Sequence, residues 1–256
     1  MCIDGVCGKH TKEKQVFFAK FMEHHIKVVS QIGRTSPRSP YMYIDPFGGP
    51  GHIACDNGYD GPVSSVRVAQ LMNRFDLDYK IITSDINPEY RNDLQELLSH
   101  YTNNCNVLTD ASSCIPIHSN NYGMVYLDPP MSLDSFKLTK KIMMEIARTS
   151  DKLDLLVYIS NRLITLFRTH PYIRFSDTLQ DFMDGIKKEF WIIKRSTSGN
   201  QYTFLCGTNY EQWAVWGKEH FYSTRSTKGK LILEHLNNTL KERLFIPEDM
   251  DQQEMF

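Results

Sequence analysis

No apolar run in this sequence reaches the roughly 18 residues that a membrane-spanning helix requires. The N-terminus has no basic, apolar, small-residue pattern of a secretory leader, so a cytoplasmic chain is expected, with no membrane partner. Bulk charge is missing as well: 29 Lys and Arg stand against 30 Asp and Glu, net −1. No overall positive field recruits polyanions, and any basic surface for a nucleic acid has to be local. Repeats, low-complexity tracts and domain-dividing linkers are absent. The six cysteines (Cys2, Cys7, Cys55, Cys105, Cys114 and Cys206) are scattered, which leads us to expect reduced thiols. Cys2, Cys7 and His10 lack a nearby fourth ligand for a closed zinc site, and no metal is expected.

The chain has 256 residues, 41% hydrophobic and 23% charged, enough to bury a full sheet with helices on both faces. Residues 11–32 have helical periodicity, with Phe17, Phe18, Phe21, Ile26, Val28 and Val29 apolar and Lys12, Glu13, Lys14 and His24 mostly elsewhere. Two prolines make residues 35–40 a loop. Strand and helix signals then alternate. Strands are predicted over residues 41–45, 79–85, 105–110, 122–128 and 153–160, with helices over 62–74, 88–101 and 132–148 between them. Asn87 before Pro88 suits a helix cap. A hairpin over 190–195 and 202–206, a strand near 213–216 and a helix over 228–244 complete the reading. The alternation implies an α/β, Rossmann-like sheet, mostly parallel with a C-terminal antiparallel hairpin. It forms one domain over 1–256: helix and loop in 1–40, core in 41–216, C-terminal helix and tail in 217–256.

Ligands of such sheets bind where the chain turns over the carboxyl ends of the strands. There stands Asp45-Pro46-Phe47-Gly48-Gly49-Pro50-Gly51. A phosphate-cradling loop would end in Gly-Lys-Ser/Thr, but His52-Ile53 follow Gly51. A dinucleotide fingerprint needs spaced glycines, and these are packed together. Asp45 is suited to the amino group of a methionine moiety. Asp85, closing the second strand, suits paired ribose hydroxyls, and Asp110 with Ala111 suits an adenine amine. Acids at strand ends also cap following helices, which would explain one of the three. The fourth strand runs into Asp128-Pro129-Pro130-Met131. Two prolines stiffen the turn and remove donors, so the Asp128 carboxylate and Pro129 carbonyl are placed to accept hydrogen bonds from an exocyclic amine.

These features in order resemble the three-Cys-motif partner family of methyltransferases: Thr11-Lys12-Glu13-Lys14, then YIDPFGGPG, then Asp60-Gly61-Pro62, then LDPP. The family usually reads Asp-Leu-Phe-Ala-Gly-Pro-Gly in the loop; here Pro46 replaces the leucine and Gly48 the alanine. The resemblance implies a class I methyltransferase fold and S-adenosylmethionine as cofactor, bound through Asp45, Phe47, Gly48, Gly49, Gly51, Asp85, Asp110 and Ala111. A looser likeness, confined to LDPP, is to amino methyltransferases of adenine or cytosine. Their fourth motif position is an aromatic that stacks on the flipped base, whereas this chain has Met131. Tyr126 and Phe136 are alternative platforms. Asp128, Pro129 and Pro130 form the expected catalytic set, with Met131, Asn161 and Arg162 toward the acceptor. The acceptor is expected to be a nucleic-acid amino group, DNA or RNA. Methylation of a small molecule or protein, and a non-catalytic partner subunit, stand as alternatives. Lys187, Lys188, Lys194 and Arg195 form a basic cluster that either meets phosphates or guards a strand edge.

Overall fold

A computed structural model describes residues 11–33, 40–56, 58–115, 120–130, 132–160, 183–194, 202–210 and 221–237. Eight strands form one sheet in the order β10-β8-β9-β7-β6-β1-β4-β5. They are β1 (Tyr41–Asp45), β4 (Tyr79–Ser84), β5 (Cys105–Leu108), β6 (Gly123–Leu127), β7 (Leu153–Ser160), β8 (Phe190–Lys194), β9 (Tyr202–Thr208) and β10 (Phe221–Ser223). The five strands β7, β6, β1, β4 and β5, which run to one edge of the sheet, are parallel. Strand β9 enters antiparallel between β7 and β8, and β10 closes the edge antiparallel to β8. A reversed strand beside the fifth parallel one gives the mostly parallel, Rossmann-like sheet with an antiparallel C-terminal part that the sequence led us to expect.

Parallel strands covered on both faces read as continuous apolar runs, and alternate residues serve opposite faces. In β1, Tyr41 and Tyr43 pack under α1 (Thr11–Gly33), α2 (Ser64–Arg74) and α3 (Pro88–Ser99). Met42 and Ile44 face α4 (Leu133–Thr149) and α5 (Thr227–Asn237). Asp154 interrupts the apolar run of β7, and this buried acid has a partner: His25 Nε2 of α1 lies 3.1 Å from it, while His25 Nδ1 meets the Tyr41 hydroxyl at 2.7 Å. His25 is thus a core residue.

Several boundaries differ from expectation for local reasons. Helix α2 begins at Ser64, not Pro62, because residues 52–62 fold into a small hairpin of β2 (His52–Ala54) and β3 (Asp60–Pro62). Short, partly exposed strands leave little periodic signal. Asn87 caps α3 as expected, its side chain accepting from Glu89 N–H at 2.9 Å. Cys55 is disulfide-bonded, against the all-reduced expectation; Cys105, Cys114 and Cys206 are free. The strand expected near 213–216 lies outside the described residues, as do Cys2, Cys7 and His10. Among the described residues no helix is long and apolar enough to cross a membrane.

Candidate functional site

Because β6, β1, β4 and β5 are adjacent and parallel, their carboxyl ends share one edge of the sheet. Asp128, Asp45, Asp85 and Asp110 follow or end those strands in that spatial order. Residues 83 positions apart in the chain are thereby brought to one rim, but the four carboxylates do different work.

Asp45 is completely buried. Its carboxylate accepts from Ser64 Oγ, from Ser65 Oγ at 3.1 Å, from the Tyr43 hydroxyl at 3.3 Å and from Phe47 N–H at 3.2 Å. Burial raises its pKa to about 6, opposed mainly by the Ser64 hydrogen bond and reinforced by the nearby Asp128 charge. A carboxylate so enclosed holds the glycine loop from beneath; it has no exposed surface with which to take a ligand's amine. Ser64 and Ser65, which carried no motif in the sequence, are its main partners.

The loop rests on β4. Gly48 N–H donates to Ser84 carbonyl oxygen at 2.8 Å, and a Cβ at Gly48 would stand 2.1 Å from Thr83 Oγ1, so only glycine fits. Gly49 has φ +67 and opens outward, with no atom within 4 Å of a built Cβ. Phe47 is half-buried against the α4-side core. Gly51, also left-handed, packs on Leu94 and Leu97 of α3.

Asp85 is half-buried at the tip of β4. Its Oδ2 accepts Gly49 N–H at 3.1 Å and its Oδ1 accepts Asn87 N–H at 2.8 Å, so the acid ties the loop to the start of α3. Each oxygen keeps a free lone pair. Beside it Ile86 is 89% exposed, an apolar side chain left uncovered next to an acid and an open loop. Sequence reasoning passed over Ile86, because exposure is invisible without the fold.

Asp110 is exposed and accepts from both Ser112 N–H at 2.9 Å and Ser112 Oγ at 2.8 Å. These bonds hold its pKa below the usual carboxylate range, and the acid caps the short 3-10 turn Ala111–Cys114. The capping explanation offered for one of the three acids therefore applies to this one. Ala111 packs partly against the core.

Asp128 is the acid with a charged partner. Its Oδ2 is 2.6 Å from Lys14 Nζ and accepts from the Tyr126 hydroxyl at 3.3 Å. Lys14 also sits over the Tyr158 ring, 4.6 Å from its centroid. Burial, then the Asp128 and Glu13 carboxylates, hold the Tyr158 phenol above its ordinary range. Pro129 is buried and Pro130 exposed, consistent with a stiff turn whose tip faces outward. The reading of Lys14 as lying off the packed side of the first helix is corrected here. Lys14 stands three and four residues before Phe17 and Phe18, on the buried stripe. Tyr126 is also removed as a stacking platform: it is 2% exposed and its ring packs 4.5 Å from that of Phe18. Met131, Asn161 and Arg162 lie outside the described residues, and nothing is described of the Phe136 side chain.

His52 is exposed and pairs with Asp60 at 3.2 Å across the β2–β3 hairpin. Lys188 and Lys194 are buried, Lys194 with its ammonium 4.2 Å from the Phe17 ring centroid, so neither is offered to a phosphate backbone. Arg195 lies outside the described residues. Among those residues no group of three or more His, Cys, Asp or Glu is placed to hold a metal ion.

No protein-family model matches the chain, and no curated protein matches it. Solved structures do. Protein LPL1258 from Legionella pneumophila is 14% identical over 86% of this chain and 91% of its own, with a TM-score of 0.52. Looser matches include the human methyltransferase 10 domain containing protein, 9% identical over 76% of this chain and 83% of its own, TM-score 0.46. Another is M. jannaschii TYW2 in complex with AdoMet, 10% identical over 75% and 73%, TM-score 0.43. At these identities the likeness concerns the fold.

Proposed function

We propose that the chain is an S-adenosylmethionine-dependent methyltransferase whose acceptor is an exocyclic amino group of a nucleic-acid base. The observation that carries this reading is the Gly49–Asp85 hydrogen bond. It joins an outward-opening glycine turn to a half-free carboxylate at adjacent strand ends, with exposed Ile86 alongside. A nucleoside asks for that combination: a carboxylate for its ribose hydroxyls, an apolar wall for its base and bare backbone beside its sugar and amino-acid chain. The residues present fit the cofactor in this sense. Asp85 would hold the ribose, Ile86 and Ala111 would flank the adenine, and Gly48, Gly49 and Gly51 would let the loop approach the methionine portion. When bound, the cofactor supplies an electrophilic methyl group on a sulfonium sulfur.

The rest belongs to this chain's own residues. Asp128 Oδ1 and the Pro129 carbonyl accept the two hydrogens of the acceptor amine and turn its lone pair inward. That positions the nucleophile rather than deprotonating it, since a neutral amine loses its proton readily once methylated. Kinship with three-Cys-motif partner proteins rests on the motif order alone and is part of this proposal.

The test is calorimetric titration with S-adenosylmethionine, followed by incubation with methyl-labelled cofactor and separated DNA, RNA, protein and metabolite fractions. Binding with label in a nucleic-acid fraction supports the proposal. Label confined to protein or metabolites refutes the acceptor class, and absence of binding refutes the cofactor.

A further inference from the structure

We infer that Lys14 sets the charge of the transfer site: by pairing with Asp128 it cancels the carboxylate at the acceptor side and selects an uncharged, planar amine over an alkylammonium acceptor. The inference rests on the proposed function and deepens it, naming a specificity-determining residue outside the sheet.

Three observations lead to it. First, the pair is close and partly shielded. Lys14 Nζ and Asp128 Oδ2 are 2.6 Å apart, with side chains 14% and 23% exposed. Shielding of this degree keeps the charges coupled to what enters the cleft, unlike a fully solvated pair. Second, Lys14 is held on a second side by the Tyr158 ring at 4.6 Å, which fixes the ammonium over the strand ends rather than leaving it to swing in solvent. Third, the charged groups that act on Asp45 and Tyr158 among the described residues are acidic. Asp45 lies close enough to Asp128 for their charges to raise its own pKa, and Glu13 acts on Tyr158 from the neighbouring position of α1. Without Lys14 the acceptor side would present the bare Asp128 carboxylate, well suited to a protonated amine. With Lys14 it presents a neutral pair that still has one carboxylate oxygen, Oδ1, to accept an N–H.

A simpler role is available to the same contact: pinning α1 to β6. That role predicts a change in stability and none in charge preference. The two are separated by ligands that differ in one charge. S-adenosylmethionine is a sulfonium cation, and S-adenosylhomocysteine, otherwise alike, has a neutral sulfur. Full-length wild-type protein, Lys14→Met and Lys14→Arg are titrated with both ligands by calorimetry, with thermal melting as the check on folding.

Removing the ammonium should tighten the cation relative to the neutral ligand by about three- to tenfold, the size expected for one unscreened carboxylate at several ångströms in a partly wet site. Lys14→Arg keeps the charge and should keep the wild-type ratio. An unchanged ratio in Lys14→Met would overturn the inference, leaving a structural tie. An equal loss of both ligands would also overturn it, because Lys14 would then hold a group the two share. If the wild type binds neither ligand, the proposed function fails instead, and that outcome is distinct from either of these.

Discussion

Two glycines in this chain have the same backbone and different neighbourhoods, and they isolate what the glycine loop is for. Gly49 and Gly58 have φ of +67 and +79, and a Cβ built on either meets nothing within 4 Å. Alanine at either site pays only the left-handed backbone penalty, about 1–2 kcal/mol. For a domain of this size that lowers Tm by roughly 2–8 °C. Gly58 lies in the turn between β2 and β3, whereas Gly49 donates to Asp85 at the strand-end rim. If the space above Gly49 is where the cofactor's chain runs, a methyl group there competes with it directly. Gly49→Ala should therefore weaken S-adenosylmethionine at least about tenfold, a loss near 1.4 kcal/mol. Gly58→Ala should leave affinity within about twofold. Differential scanning calorimetry gives the first comparison and isothermal titration the second. Equal affinities in the two variants, at equal stability, would refute the assignment of the loop.

Asp85→Ala removes the acceptor of both Gly49 and Asn87 N–H, and should cut cofactor affinity by about 10- to 100-fold in the same titration. Ile86→Ala should leave Tm within about 2 °C because the side chain is 89% exposed, yet reduce affinity about three- to tenfold if it flanks the base. For Asp45, burial raises the carboxyl to about 6 from its ordinary 3.8, so the folded protein binds the proton more tightly than the unfolded chain. The resulting stabilisation is full below about pH 4 and is lost as pH rises through about 6. It amounts to about 3 kcal/mol. Urea unfolding from pH 4 to 7 should show that decline in the wild type and a flatter profile in Asp45→Asn. Parallel profiles would mean that Asp45 does not titrate in this window. His25→Ala should cost about 2–4 kcal/mol in the same assay, since it leaves buried Asp154 and Tyr41 without their shared partner.

The amino-acid order alone was sufficient for the fold class, an α/β sheet that is mostly parallel with antiparallel strands toward its C-terminal end. Continuous apolar runs of four to eight residues, punctuated by Gly, Pro and Asn, encode strands and turns through interactions within a few positions. That is why the limits of β7 and the Asn87 cap were legible, and why acids at four strand tips pointed to one edge. What tertiary structure decided lies at long separations. The Gly49–Asp85 bond spans 36 positions, Lys14–Asp128 spans 114 and His25–Asp154 spans 129. Each depends on which strands are neighbours and on how α1 lies across them. Local periodicity carries neither fact. A sequence also does not distinguish an acid aimed at a ligand from one turned inward, because both follow a strand. Here burial and the two serines turned Asp45 inward, Ser112 engaged Asp110 in a cap, Asp85 tied the glycine loop to α3, and Asp128 met Lys14.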